Sequence, residues 1–321
     1  MIHRPLSERA IREAQTDASR VVVRQAWPLL PLTDERNRNL GWACLNAPLR
    51  SGEEVVRLAR ARRRYRLIGM TSHLTFPHYK PPGDTHDYAG LCEGWCHCFR
   101  DPDVYLPPAV PRVLLAYSDF TNPWQTSPER FGGSEKALDF VYVCPNDPWK
   151  EQSKNWSLAR RCFPRLSREL GLRGLVVGHE TFEGVEDLGD RLVTCAELPW
   201  SALMRHLSLA RLLLVTSLED PSPRLIAEAL SLDTPVLIHR AILGGWHYVN
   251  VFTGAFFESE HDVAACARSL LSRWTSPRAW FRAHHGPSLA GARLARFLRE
   301  LDPSLGRVRE VRLSLRAEED T

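Results

Sequence analysis

No stretch of this sequence approaches the ~20 apolar residues that a helical membrane span requires. It has no G-x-G-x-x-G after a strand-like run and no G-x4-G-K-[ST], the patterns that hold dinucleotides and nucleoside triphosphates. Both absences count against dinucleotide-dependent and P-loop phosphoryl-transfer enzymes. Internal repeats and low-complexity tracts are absent. Neither sign of charge dominates: 42 Lys and Arg against 38 Asp and Glu leave a net +4, which by itself does not point to nucleic acid. The N-terminus carries Arg4, Glu8, Arg9 and Arg12 without a following apolar core, so it does not read as a signal peptide. Val21–Val23 and Trp27–Leu30 are separated by Arg24 and Gln25. A reducing, cytoplasmic location is therefore expected, with the eight cysteines as thiols.

No C-x2-C pair of the structural-zinc kind occurs. Cys92, Cys96, His97 and Cys98 form a C-x3-C-H-C run that could take zinc with His73, His78 or His86. The alternative is a set of buried thiols beside Trp95 and Phe99, and no metal site is expected.

What is present fits two domains, since 321 residues exceed the ~100–200 of one. The first half is rich in Trp, Pro and His, with strand-like pieces at Leu40–Leu45, Arg66–Met70 and Val113–Tyr117. Thr121–Gly133 has the composition of a linker. From Asp139 onward, short apolar runs alternate with helical stretches, the pattern of a parallel sheet covered by helices. Strands are expected at Phe140–Val143, Leu175–Val177, Leu192–Cys195, Leu212–Val215, Val236–Ile238 and Ala255–Phe257. Helices are expected within Lys154–Leu170, kinked at Pro164, after a cap at Ser201, and over Arg224–Leu230. A further one carries Val263, Cys266, Ala267, Leu270 and Leu271 on one side.

In open parallel sheets ligands bind beyond the carboxyl ends of the strands. The segment Thr216–Pro223 leaves one such strand and enters the helix at Arg224, so Asp220 and Glu228 bracket a helix N-terminus. Read alone, by spacing, they are an exposed loop acid and an ordinary helix glutamate placed for dipole reasons. In the first half, His73 and Asp119 follow strands and are candidates for contacting a ligand hydroxyl; a satisfied loop histidine is the alternative for His73. The arginines from Arg57 to Arg66 read as a solvated helix face, or as a patch for anionic lipid or a phosphorylated acceptor.

The stretch LPWSALMRHLSLARLLLVTSLEDPSPRLIAEALSLDTPVLIHR, from Leu198 to Arg240, resembles the C-terminal lobe of the GT-B glycosyltransferases, in particular the retaining family 4. Asp220 falls on that family's first acidic position and Glu228 on its second. Gly244–Gly245, Val249, Thr253–Gly254 and Phe256–Phe257 resemble its Gly-Gly turn and final strand, and Phe140–Val143 with Lys154 its first strand and phosphate-binding lysine. Pro145–Asn146–Asp147 stands where the family has an arginine. The resemblance runs from Asp139 to about Leu271.

It implies an α/β protein of two Rossmann-like lobes with parallel sheets and a donor site in the cleft. Residues 1–135 would form the acceptor-side lobe, 136–300 the nucleotide-sugar lobe and 301–321 a tail. The implied reaction moves a sugar from a nucleotide-diphosphate sugar to an acceptor hydroxyl with retention and without metal or cofactor. Asp220 and His73 would be catalytic. Glu228 would take the ribose, and Lys154, Lys150, Ser222, Arg224, Gly244 and Gly245 would bind the rest of the donor. The acceptor would be a glycan, a protein or a lipid-linked sugar, with peripheral membrane contact through Arg57–Arg66 and no nucleic acid. A catalytically silent GT-B-like module that binds a nucleotide sugar or glycan is the alternative.

Overall fold

The computed structural model describes residues 28–132 and 135–313. The N-terminal features at Arg4–Arg12, Val21–Val23 and Trp27 lie outside the described residues, as does Gly133 at the end of the linker. Two six-stranded sheets organise the chain. The first runs β12 (Val311–Leu313), β1 (Leu29–Asp34), β2 (Asn39–Leu45), β3 (Arg66–Met70), β4 (Trp95–His97), β5 (Arg112–Leu114). The second runs β11 (Gly254–Phe257), β10 (Val236–His239), β9 (Ala210–Val215), β6 (Leu138–Val143), β7 (Gly174–Val177), β8 (Leu192–Cys195). Every pairing in the second sheet is parallel.

Successive residues of a strand face opposite sides, and both sides of both sheets are buried. In the second sheet Val141, Leu175, Val177, Leu213, Val215, Val236 and Ile238 fill one core. Their neighbours Phe140, Tyr142, Val176, Leu212, Leu214 and Leu237 fill the other. In the first sheet Ala43, Leu45, Leu67 and Trp95 face one core, and Trp42, Cys44, Ile68, Met70 and Cys96 the other. Strands buried on two sides must be apolar at every position, which is why these runs stand out in the sequence.

Several expectations need correction. The first sheet is mixed, because β1 pairs antiparallel with both β2 and β12. The domain boundary at residue 300 moves to about residue 286. The helix Pro287–Leu301 lays Ala290, Leu294, Phe297 and Leu298 on the first sheet, and β12, read as tail, is a strand of that sheet. The first lobe is thus built from two separated stretches of chain. Val113–Tyr117 is strand only to Leu114, and Tyr117 opens a short 3-10 turn, Tyr117–Phe120. Ser201 is not a cap: the helix Trp200–Ser208 starts behind Pro199 with no side-chain cap.

The helix expected from Lys154 is two helices, Pro148–Lys154 and Trp156–Pro164, broken at Asn155 with φ 53°. The second passes at Pro164 into a wider turn, Arg165–Glu169, as a missing N–H allows. Cys92 and Cys98 lie in one core and Cys96 in the core on the opposite face, so the thiols do not converge on a metal. Among the described residues no helix is long and apolar enough to cross a membrane.

Two buried histidines make the fold sensitive to acid. Burial pushes His97 down to about 4, helped by Arg112 and His247, and pushes His206 to about 4, helped by Arg205. The unfolded chain takes these protons near pH 6.5, so below that value the unfolded state binds more protons and stability is lost as pH falls. The melting temperature should decline steadily from pH 7 to pH 4.5, and less so in His206→Gln. A flat or rising profile over that range would contradict the assignment.

Candidate donor site between the lobes

The second lobe offers its ligand-facing edge at the carboxyl ends of β6 and β9. The helix Pro148–Lys154 follows β6, with Asp147 capping it through the Lys150 amide at 3.0 Å. Its C-terminal end is tied to the loop after β9. Thr216 Oγ1 donates to Lys154 O at 2.6 Å, and the Leu218 amide donates to Ser153 O at 3.1 Å. This brings Lys154 Nζ to 2.7 Å from Asp220 Oδ2, with each side chain about one-fifth exposed. The Ser222 amide donates to Asp220 Oδ1 at 3.3 Å.

The two lysines differ in surroundings. Lys150 lies over the Trp149 ring, 4.3 Å from its centroid. Burial lowers its affinity for a proton and Lys154 lowers it further. Across the cleft, the first lobe contributes His73, stacked on Trp149 at 6.3 Å with the planes 14° apart. Burial, then Arg50 and Lys150, hold His73 below its ordinary pKa, so it is a neutral imidazole near pH 7. One cluster therefore holds His73, Trp149, Lys150, Lys154 and Asp220.

Glu228 stands elsewhere. Trp200 Nε1 donates to Glu228 Oε1 at 3.0 Å. Burial raises the carboxyl's pKa, against the Trp200 hydrogen bond and Arg224. Glu228, Arg224 and Trp200 line a cavity of about 500 Å³ together with Tyr117, Gln125 and Arg312 of the first lobe or its linker. That volume falls in the ~300–1,000 Å³ range of small-molecule sites. Neither lysine, nor Asp220, nor the Gly244–Gly245 turn lines it.

The Gly pair has an internal partner. A Cβ on Gly244 would lie 2.0 Å from the Pro221 carbonyl oxygen, and one on Gly245 would lie 2.5 Å from Pro223 Cγ. Gly245 also takes φ +74°, which favours glycine. The pair thus lets two loops of this chain meet, with the Gly244 amide donating to Asp220 O at 3.0 Å. The Ser222 hydroxyl likewise faces protein, accepting from the Ser118 amide at 2.8 Å.

Sequence reasoning missed Trp149, Trp200 and Tyr117. Aromatic residues near helix and turn starts carry no signal that separates a ligand wall from core. Asp119, named for its place after β5, is buried rather than open to a ligand. Burial opposes its charge, but hydrogen bonds from His247 and His285 outweigh this and hold its carboxyl well below the usual range.

The architecture is that of the two-lobed GT-B fold. No protein-family model matches the chain, and no curated protein matches its sequence. Among solved structures it is similar to TarM, with 12% identity and a TM-score of 0.54 over 75% of this chain and 51% of that one. It is similar to the pneumococcal O-GlcNAc transferase GtfA, solved with UDP and GlcNAc, at 13% identity and TM-score 0.51 over 80% and 55%. It is also similar to Anabaena Alr3699/HepE, solved with UDP and glucose, at 13% identity and TM-score 0.54 over 79% and 77%. The chain spans about half the length of TarM and GtfA. These likenesses establish the fold.

The close approach at the Gly-Gly turn makes a direct prediction. Gly244→Ala should lower stability by about 1–3 kcal/mol, the usual cost of forcing atoms into a packed site, read as a lower denaturation midpoint in urea. An unchanged midpoint would mean that the two loops are not packed as described.

Proposed function

We propose that this protein is a glycosyltransferase that moves a sugar from a nucleotide-diphosphate sugar to an acceptor hydroxyl. The observation that carries the reading is the Lys154–Asp220 pair, held at the carboxyl ends of β6 and β9 and faced by His73 of the first lobe. Within a GT-B fold, this is where a donor sugar and its diphosphate would lie. Departure of a nucleoside diphosphate develops negative charge, and fixed cations beside it stabilise that charge. Lys154 and Lys150 are the cations here, so the reading calls for no metal or further cofactor. Asp220, freed from Lys154 by the incoming diphosphate, would accept hydroxyls of the donor sugar. His73, neutral near pH 7, would accept a hydrogen bond or a proton from a hydroxyl.

Glu228 and Arg224 would take the nucleoside end from the cavity beside Trp200, the carboxylate accepting from ribose hydroxyls. Retention of configuration and membership of family 4 rest on the sequence resemblance. So does the choice of a glycan, protein or lipid-linked acceptor. Arg60 on the helix Gly52–Ala61, and Arg62, Arg63 and Arg64 after it, are exposed and are what a peripheral membrane contact would use, with Arg57 exposed beside them and paired to Glu53 at 2.7 Å. Arg66 is committed elsewhere, to Glu93 and Asp302.

A second reading, a silent GT-B-like binding module, is favoured by the engagement of the Ser222 hydroxyl and the Gly244–Gly245 turn within the chain itself. Binding and turnover separate the two. The purified protein is screened by thermal shift against UDP, GDP, ADP and CMP and their sugar conjugates, and the best donor is then assayed for nucleotide release. A ligand that binds only the folded state at about 100 times its Kd adds about 2.7 kcal/mol of stability. The expected result is a shift with one nucleotide, and turnover reduced about 100-fold by Lys154→Ala, the size of effect seen on removing one charge-stabilising group. A shift without turnover would favour the silent module. No shift at millimolar ligand would defeat the transferase reading and leave only a silent module that binds a glycan.

A further inference from the structure

Asp119 is the most heavily engaged carboxylate between the lobes. It belongs to the turn after β5 of the first lobe, and its side chain is 1% exposed. Its Oδ2 accepts from the Ala116 amide at 2.6 Å, which fixes the turn locally. Its Oδ1 faces the second lobe, where Tyr248 Oη donates to it at 3.1 Å and His247 Nε2 lies at 3.4 Å. His285, on the segment where the chain crosses back to the first lobe, donates from Nδ1 at 2.7 Å. Arg293, on the final helix, brings its Nη2 to 3.7 Å. Backbone joins in, since the Gly286 amide donates to Asp119 O at 2.9 Å.

What these partners are attached to gives the cluster its meaning. His247 and Tyr248 directly follow Gly244, Gly245 and Trp246. The Gly-Gly turn packs on Pro221 and Pro223, and its Gly244 amide is bonded to Asp220 O. Ser118 reaches the same loop from the other side, its amide donating to Ser222 Oγ at 2.8 Å and its hydroxyl lying 2.8 Å from Tyr248 Oη. Residues 118 and 119 of the first lobe therefore hold the Asp220 loop from both ends. Trp246 adds a third tie, its Nε1 donating to Cys98 O of the first lobe at 2.7 Å.

We infer that Asp119 is a positioning residue: through Tyr248, His247 and the Gly244–Gly245 turn it sets the placement of the loop Leu218–Arg224, and with it Asp220, according to how the lobes are docked. Buried in low dielectric, a carboxylate with several donors resists rearrangement, because any partner that leaves exposes an unsatisfied group. Opening the lobes at this point breaks the Asp119–Tyr248 and Ser118–Ser222 bonds together. The loop then loses its outer support while keeping the Leu218–Ser153 bond within its own lobe. The consequence for catalysis rests on the donor-site reading; the placement of the loop does not.

Hydrogen exchange followed by mass spectrometry on the full chain reads the loop directly, whether or not a donor binds. Wild type is compared with Asp119→Asn and with Tyr248→Phe, which removes one hydroxyl and keeps the packing of the ring. Both variants should speed exchange at least tenfold in peptides covering 217–226 and 243–250. Peptides from β7 and from the helix Trp156–Pro164 should exchange as in wild type. If Asp119→Asn does not fold, Tyr248→Phe alone decides. Uniform acceleration across the second lobe would show ordinary destabilisation, and an unchanged 217–226 segment would show that the loop is placed by its own lobe. Either result overturns the inference. If the pattern appears but wild type binds no nucleotide, the positioning role stands and the donor-site reading falls.

Discussion

A single buried carboxylate joins the two halves of this molecule. Asp119 gathers a phenol, two imidazoles and a guanidinium from the second lobe, the return crossing and the final helix. Burial of a charge is unfavourable unless it is matched by donors. Here the donors come from elements far apart in sequence, so the charge is tolerable only when those elements are assembled. The relation of the lobes and the ionisation of one side chain are thereby a single condition. Nearby ties between the lobes, Ser118 with Ser222 and Trp246 with Cys98, are neutral by comparison.

The site reading depends on that docking. His73 and the Trp149–Lys150 pair belong to different lobes and meet only across the interface. Lys154 and Asp220 belong to one lobe, where Thr216 and Leu218 fasten the start of the loop after β9 to the helix after β6, while Ser118 of the first lobe holds its outer part at Ser222. The cleft thus has a polar pair on one wall and a histidine brought to it by the other. Glu228 sits apart, bonded to the Trp200 indole and facing the cavity beside the linker. A donor touching every residue expected from the resemblance would have to extend from the lysine pair to that cavity.

The second sheet was legible because its strands are buried on two faces and read as short apolar runs between polar breaks. Phe140–Val143, Leu175–Val177 and Leu212–Val215 are of this kind. The first sheet hid three strands for different reasons. β1 carries Pro31, which has no N–H, and its register with β2 shifts between Pro31 and Thr33. β4 and β12 have three residues each, too few for a period to show. Lys154 and Asp220 stand 66 positions apart, and only the resemblance to a known lobe suggested that they share a site. Asp119 lies 128, 129 and 166 positions from His247, Tyr248 and His285. No local pattern encodes such a convergence, since each of those residues is unremarkable among its neighbours.

The first sheet is completed by residues 311–313, which pair with β1, while the helix Pro287–Leu301 covers one of its faces. On the ribosome, the segment from β6 to β11 emerges before these pieces and can fold as a contiguous unit. The earlier strands must wait with one edge unpaired and one face bare. Exposed edges and faces invite association with other chains. The order of synthesis therefore makes the first lobe, though first to emerge, the last to be finished and the half with the longest exposure to chaperones.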